Sequence, residues 1–194
     1  MCLCFILPQN YRFLSIQKKK FEQRIKIEYP DFIFTKAHNL PNNRYLYKKT
    51  LKNVSFFFVL LINDKLHENF YIEVGWTADG NIPSMSFKIP SLKNQMTERN
   101  FRMRLARFIE EYCDLPRQQT DYGYVLGVEW YKLPVDADLW AIDEVPVEEA
   151  VAKIDGCLSD AFEKIKKYVI PYFRRVAGYF EGEVVSFGAV CNQE

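Results

Sequence analysis

The residues that could do catalytic chemistry are few in this chain, and their spacing fits no known type of active site. The two histidines, His38 and His67, fall in separate predicted loops, and neither has a second ligand at the spacing of a zinc site. The eight glycines form no nucleotide-binding motif, and the serine-hydrolase motif G-x-S-x-G is absent. A nucleophilic pair of histidine and cysteine could still assemble in the fold. With no specific signature, we expect a protein that is not an enzyme and that uses no cofactor or metal.

A group of carboxylates surrounds a tryptophan just before the last predicted helix. The group lacks the glycine and the spacing of a calcium-binding EF-hand loop, so we predict no metal site there. Acidic groups around an aromatic anchor suit a basic protein surface, because the buried ring holds the complex and the charges steer the encounter. The alternative is that the tryptophan packs into the protein's own core. The predicted partner-binding residues are Asp136, Asp138, Trp140, Asp143 and Glu144.

The first quarter of the chain is basic and offers a second kind of binding surface. Residues 1–52 hold eleven Lys or Arg against three Asp or Glu, whereas residues 110–160 hold three against thirteen. Lysines with tyrosines between them can bind phosphate and stack on bases. Against this, the net charge of the whole chain is only +1, and the two segments could lie together and cancel. The lysines of this alternative nucleic-acid-binding surface are Lys18, Lys19, Lys20, Lys48, Lys49 and Lys52.

Length and composition indicate one ordinary globular domain. A chain of 194 residues, 48% of them hydrophobic, can bury a large core without disulfides, and we predict a single domain over residues 1–194. No apolar run approaches the roughly 20 residues of a membrane-spanning helix, so we expect no membrane partner. The apolar stretch Met1–Leu7 lacks the basic residue and the cleavage site of a signal peptide. The five cysteines form no framework, which favours a reducing, cytoplasmic compartment.

Alternating apolar residues predict an antiparallel meander of short strands joined by turns. The run Val54–Ile62 is apolar on both faces, as expected of a strand at the centre of a sheet. The run Phe70–Thr77 alternates, which predicts one face toward the core and one toward solvent. Its predicted inward residues are Phe70, Ile72, Val74 and Trp76, and its predicted outward residues are Tyr71, Glu73 and Gly75. The other predicted strands are Phe32–Lys36, Arg44–Leu51, Ile82–Ile89, Tyr122–Tyr131 and Glu183–Val190.

Three helices are predicted to cover this sheet. The first runs over Leu14–Ile27 and the second over Thr97–Tyr112, and both have apolar residues three and four positions apart. The third and longest begins near Pro146, a favourable first helical residue, and ends near residue 177. Pro171 must bend or break it, because proline removes a backbone donor and crowds the preceding turn. The fold class is therefore α+β: a mainly antiparallel sheet of five to seven strands, covered by helices that include a long, kinked C-terminal helix.

The order of elements and two short stretches give the chain a resemblance to known proteins. Phe70–Trp76 (FYIEVGW) in a central strand and Tyr168–Phe173 (YVIPYF) in the last helix resemble small uncharacterised bacterial α+β domains, some of them found near toxin–immunity loci. The resemblance transfers no catalytic residue. It implies a non-enzymatic protein-binding module, an immunity or regulatory protein whose partner would be a basic toxin domain. Binding of nucleic acid by the basic first quarter is the alternative.

Overall fold

The computed structural model describes residues 9–36, 40, 44–63, 69–92, 97–114, 123–126, 134, 136–137 and 146–182. The strands are β1 (Ile33–Thr35), β2 (Arg44–Leu51), β3 (Val54–Asn63), β4 (Asn69–Thr77), β5 (Asn100–Arg104) and β6 (Tyr124–Val125). The helical elements are α1 (Gln9–Glu28), α2 (Leu105–Tyr112), α3 (Val147–Lys164), a π-helical turn (Ile165–Val169) and α4 (Ile170–Glu181). The predicted α+β class is confirmed. None of the helices in these ranges is long and apolar enough to cross a membrane.

All strand pairs are antiparallel, and strands that follow each other in the sequence lie side by side. The order is β1-β2-β3-β4-β5, and β6 pairs with β4 on the same side as β5. Two residues close the hairpin between β2 and β3, and Lys52 has the left-handed backbone (φ 49°) that tight hairpin turns require. The predicted meander is therefore confirmed.

The main core lies between one face of the sheet and the helices. Trp76 of β4 and Tyr172 of α4 are both buried, and Trp76 Nε1 donates a hydrogen bond to Tyr172 Oη at 3.1 Å. Phe58 of β3 packs against Phe32, with ring centroids 4.5 Å apart, and against Phe173 of α4, with centroids 5.8 Å apart. The aromatic content of the chain thus serves largely as core. The inward residues predicted for β4 are confirmed as buried: Phe70, Ile72, Val74 and Trp76.

The opposite face of the sheet is also covered near β4, which the alternation did not predict. Glu73 is buried there and forms an ion pair with Arg102 of β5, with 2.5 Å between Oε2 and Nη2. The same guanidinium donates to the carbonyl oxygen of Pro83 at 3.1 Å, so the irregular segment 82–86 lies over this face. Gly75 is also buried beside the pair. The residue has to be glycine, because a Cβ at this position would collide with neighbouring backbone and side-chain atoms. The prediction that Glu73 and Gly75 face outward is wrong, because this face is covered.

The second predicted helix, Thr97–Tyr112, is helical only in its second half. Its first half is β5, where Phe101 pairs with Trp76 across the β4–β5 ladder. The spacing of four between Phe101 and Leu105 fits a helix equally well, so local periodicity alone pointed the wrong way. Pairing with β4, which is distant in sequence, overrides the local preference.

The predicted strand Ile82–Ile89 is irregular in the structure. One backbone hydrogen bond, from Ser86 N to Arg102 O at 2.7 Å, joins the segment to β5. In return, Arg102 N donates to Ser86 Oγ at 3.1 Å instead of to a backbone carbonyl. The nearby Pro83 has no backbone N–H to contribute to a ladder. The segment therefore follows the edge of the sheet without becoming a regular strand.

The last helical element runs without interruption from Val147 to Glu181, which confirms the long C-terminal helix. The α-helical hydrogen bonding is interrupted at the π turn, where Ile170 N donates to Ile165 O, five residues back. Pro171 follows directly and has no backbone N–H to give. A wider turn moves the preceding carbonyl groups away from the proline ring. The disturbance predicted at Pro171 therefore takes the form of a π turn within one continuous element.

Several predictions fall outside the described residues. They concern the stretch Met1–Leu7, both histidines and the terminal strand Glu183–Val190. Of the predicted strand Tyr122–Tyr131, the structure describes residues 123–126, which include β6.

Two of the cysteines can be compared with the expectation of reduced thiols. Cys157 is a free thiol that packs against the core, whereas Cys113 after α2 is disulfide-bonded. An oxidised cysteine weakens the support that the cysteine pattern gave to a reducing compartment.

Removal of the Arg102 guanidinium should destabilise the fold strongly. In Arg102→Met the carboxylate of Glu73 stays buried without its partner, and breaking a buried ion pair in this way costs about 3–5 kcal/mol of the free energy of unfolding. Urea denaturation followed by circular dichroism measures this cost. The control is Lys49→Met, which breaks the exposed pair with Asp31 (2.7 Å) and should cost less than about 1 kcal/mol. Equal losses in the two variants would contradict the role given to the buried pair.

Candidate functional site

A cavity of about 390 Å³ opens between the end of β5, the start of α2, β6 and the long helix. It lies where β4 changes partner. The β5 ladder reaches Glu73 and the β6 ladder begins at Phe70, so within the described chain Tyr71 and Ile72 have no strand partner on this side. We call this cavity the tyrosine pocket and define it by three rings and three cations: Tyr71, Tyr124, Tyr168, Arg104, Lys164 and Lys167.

Each ring of the tyrosine pocket has one of the protein's own cations close to its face. The pairs are Arg104 over Tyr71 at 4.3 Å, Lys164 over Tyr124 at 5.8 Å and Lys167 over Tyr168 at 5.4 Å, measured to the ring centroid. Such contacts contribute about 0.5–1 kcal/mol each at exposed sites and more where water is excluded. They place the three cations beside the rings that line the pocket.

Asp160 of the long helix binds two of the side chains that define the pocket. Tyr124 Oη donates to Asp160 Oδ2 at 2.7 Å, and Lys164 Nζ donates to the same oxygen at 2.6 Å. Burial of the phenol, and then its bond to this carboxylate, raise the pKa of Tyr124 well above its ordinary value. Tyr124 is therefore a neutral hydrogen-bond donor at physiological pH. The negative charge of Asp160 is balanced by Lys164.

The last two pocket residues of the helix, Lys167 and Tyr168, lie within the π turn. Glu163 and Lys167 have the same spacing and the same acid-first order as Asp160 and Lys164, an arrangement that normally favours an ion pair. Asp160 and Lys164 form that pair, but within the described residues Glu163 and Lys167 do not. Lys167 lies over the ring of Tyr168 instead.

The remaining wall of the pocket is apolar, and a glycine closes it. Leu105, Ala106 and Ile109 of α2 supply the apolar surface. Gly123 precedes β6 with a positive φ of 79°, and a Cβ at this position would lie 2.6 Å from the carbonyl oxygen of Phe70. Only glycine therefore lets β6 approach β4 closely enough to form this side of the pocket.

A second cavity of about 330 Å³ lies against the C-terminal part of the long helix and is more open to solvent. Aromatic residues of the core, among them Tyr29, Phe32 and Phe173, form its floor. The charges at its rim include Asp31 and Lys49, which are already paired with each other. Arg174 also lines the cavity and forms no ion pair within the described residues, so this cavity offers apolar contact and one cation at its open rim.

Most of the predicted partner-binding residues lie outside the described chain. Asp136 is described and is exposed. Of the first helical turn that follows, Glu148 and Glu149 are also exposed. The acidic surface around Trp140 therefore stays a prediction. The residues that the structure does not describe are Asp138, Trp140, Asp143 and Glu144.

Three of the six lysines predicted to bind nucleic acid are engaged in ion pairs. The pairs are Lys20 with Asp155 at 2.5 Å, Lys49 with Asp31 at 2.7 Å and Lys52 with Glu181 at 3.1 Å. Two of the three acids belong to the long helix. Two ion pairs thus join the basic first quarter to the long helix, and part of its positive charge is neutralised there.

The other three lysines of that set do not form one surface. Lys18 lies over the rings of Phe34 and Tyr45, at 5.2 Å and 4.6 Å from their centroids. Lys19 is exposed on α1. Lys48 alternates with the buried Tyr47 along β2, so it lies on the opposite face of the sheet from α1. The structure does not bring these cations together as a path for a phosphate backbone.

The described residues offer little for catalysis. Among them, no group of three His, Cys, Asp or Glu side chains is placed to hold a metal ion. Burial, and then the neighbouring Asp160, raise the pKa of the Cys157 thiol, so this sulfur is not an activated nucleophile. The groups at the tyrosine pocket hold charges and rings in fixed positions, which is chemistry suited to binding.

Sequence reasoning did not select any residue of the tyrosine pocket as a site. The pocket is assembled from β4, β5, β6 and the long helix, and no short motif joins these parts. The one signal in the sequence was Pro171, which predicted a disturbance in a regular helix. Such disturbances, when they are π turns, are frequent at functional sites.

The fold should lose stability as the pH rises above about 10. Burial raises the pKa of Tyr29 to about 12 and, as the largest cause, raises those of three further tyrosines well above the ordinary value: Tyr47, Tyr124 and Tyr172. Because an unfolded tyrosine ionises near pH 10, this stabilisation is complete below that pH and is lost as the pH rises through the folded pKa. Near-ultraviolet absorbance should show some tyrosines ionising only as circular dichroism reports unfolding.

The variant Tyr124→Phe tests the contribution of the pocket to this effect. It should lose less free energy of unfolding than the wild type between about pH 9 and about pH 12, because it lacks one group with a raised pKa. Chemical denaturation at both pH values gives the two differences. An equal loss in variant and wild type would show that Tyr124 titrates as an ordinary tyrosine.

The chain has no match among known protein families, curated proteins or solved structures. No residue role can therefore be transferred to it from a relative. What the tyrosine pocket binds has to be inferred from its own geometry.

Proposed function

We propose that this chain is a binding protein rather than an enzyme, and that its ligand is a small molecule with an apolar body that occupies the tyrosine pocket. The observation that carries this proposal is the cavity itself: about 390 Å³, lined by three tyrosines and an apolar helix face, with charged groups held at its wall. Ligand sites in proteins are typically cavities of about 300–1,000 Å³ with apolar walls and a few fixed polar groups. The tyrosine pocket has this size and this composition.

The geometry of the polar groups supports binding rather than turnover. Tyr124 and Lys164 both donate to Asp160 Oδ2, so this oxygen already accepts two hydrogen bonds before a ligand arrives. A general base must be free to take a proton near the operating pH. The raised pKa of Tyr124 keeps the phenol protonated and leaves it as a donor only. The hydrogen-bonded group of Tyr124, Lys164 and Asp160 is thus suited to keep the wall of the pocket in a fixed shape.

The test uses two fluorescent dyes that share the same aromatic body, anilinonaphthalene sulfonate and its uncharged analogue phenylnaphthylamine. We expect at least one of them to bind saturably, with one site per chain. Ala106→Phe places a ring in the cavity and should weaken this binding by at least about tenfold, because the apolar volume is filled. Ala152→Phe on the exposed side of α3 is the matched control and should bind as the wild type does.

Two outcomes contradict the proposal. One is the absence of saturable binding by either dye to the folded wild type. The other is equal weakening in Ala106→Phe and Ala152→Phe, because the dye would then bind elsewhere on the surface. Circular dichroism of both variants establishes that each is folded.

A second candidate function is the protein-binding one that the sequence suggests, in which the chain acts as an immunity or regulatory protein. The observation that favours it is exposed acid on both sides of the predicted acidic loop: Asp136 before it and Glu148 in the first turn of the long helix are exposed and form no ion pair within the described residues. A basic partner would find these carboxylates unneutralised, whereas Asp155 and Glu181 are already paired. The toxin domain remains the partner class that the resemblance implies.

This second candidate predicts that a charge-reversed acidic loop loses its partner while the fold is kept. The variant combines Trp140→Ala, Asp138→Lys and Asp143→Lys, which removes the anchor ring and reverses two steering charges. Affinity capture from the source cells, compared between wild type and variant, measures the effect. Glu163→Lys, on the tyrosine-pocket side of the long helix, is the control for a change of charge alone. If the wild type and the loop variant capture the same protein, the acidic surface is ruled out as its binding site.

A further inference from the structure

We infer that the ligand of the tyrosine pocket carries an anionic group, a carboxylate, sulfonate or phosphate, and that Lys167 on the π turn is its main contact. This inference rests on the proposed function, since it names the class of ligand for the same pocket. It is independent of the acidic loop and of the second candidate. The occupied ring faces, the unpaired ammonium of Lys167 among the described residues, and the place of Lys167 in the pocket lead to it.

The ring faces are already taken by the protein's own cations. A pocket with three tyrosines and several carboxylates resembles the aromatic cages that hold ammonium ligands. In such a cage the ligand's cation lies over the rings. Here Arg104, Lys164 and Lys167 lie there instead, at 4.3–5.8 Å from the centroids. A cationic ligand would have to displace like charges, so the geometry disfavours it.

Of the two lysines of the pocket, one is neutralised and one is not. Lys164 is neutralised by Asp160, which also accepts the hydrogen bond from Tyr124. Lys167 has no carboxylate within ion-pair distance among the described residues, and its ammonium lies over the ring of Tyr168. An anionic group of a ligand can pair with this lysine.

Lys167 lies on the π turn and lines the pocket. Along the same helix, Glu149 and Lys153 pair at 3.1 Å, and Asp160 and Lys164 pair at 2.6 Å. Glu163 and Lys167 repeat this spacing but form no pair within the described residues. The ammonium of Lys167 can therefore make a charge-assisted hydrogen bond to a ligand in the pocket.

The experiment compares the same two dyes, because they differ only in the sulfonate. We expect the wild type to bind anilinonaphthalene sulfonate at least about tenfold more tightly than phenylnaphthylamine. Lys167→Gln should weaken binding of the sulfonate by about tenfold and leave binding of the uncharged dye unchanged. Lys166→Gln is the matched control: it removes the same charge from the same turn, but Lys166 does not line the pocket. It should leave both affinities unchanged.

The outcomes separate this inference from the proposed function. If both dyes bind equally well and Ala106→Phe weakens both, the pocket binds ligands but the anionic class is wrong. If Lys166→Gln weakens the sulfonate as much as Lys167→Gln does, the effect is one of overall charge and Lys167 has no special role. If Lys167→Gln weakens both dyes alike, it has changed the shape of the pocket, and the inference fails. If neither dye binds, the proposed function fails with it.

Discussion

The pairing of β4 is the constraint on which the rest of the structure depends. On one side β3 matches it along its whole length, from Asn69 to Thr77, and on the other side two short strands, β5 and β6, share it. A single long strand in their place would have closed this edge of the sheet. Two short strands pair there instead, and neither reaches Tyr71. The gap between the two strands becomes the tyrosine pocket. The candidate site is thus a consequence of how the sheet is completed.

Elements with a strong period were predictable from the sequence, and elements defined by distant partners were not. The alternation of β4 and the apolar stripe of the long helix both predict their structures correctly, because each places its apolar side chains on one core. Local spacing predicts a helix at Phe101, because the strand pairing of Phe101 with Trp76 is not visible in that spacing. The alternation predicts an exposed Glu73, because the buried partner of Glu73, Arg102, lies in another strand. The pocket was not predictable for the same reason: its rings and cations come from four separate parts of the chain.

The uneven charge along the sequence has a structural explanation that reduces its value as a functional signal. Ion pairs join the basic first quarter to the long helix, through Lys20 with Asp155 and Lys52 with Glu181. A run of lysines can therefore be part of how two elements dock, and it does not by itself indicate a nucleic acid. Arg24 contributes in the same region, with an ion pair to Glu28 and a hydrogen bond to Ser159. In such a molecule, the charged side chains that remain unpaired indicate more about binding than the net charge of a segment does.

The π turn before Pro171 has a consequence for the rate at which a ligand could enter. The proline ring is a covalent part of the chain and is present with or without a ligand, so the turn that contains Lys167 and Tyr168 is formed in the empty protein. The free energy that this irregular turn costs is spent during folding and not during binding. A ligand of the proposed kind would then meet a preformed site, and its binding would not include a slow rearrangement of the helix.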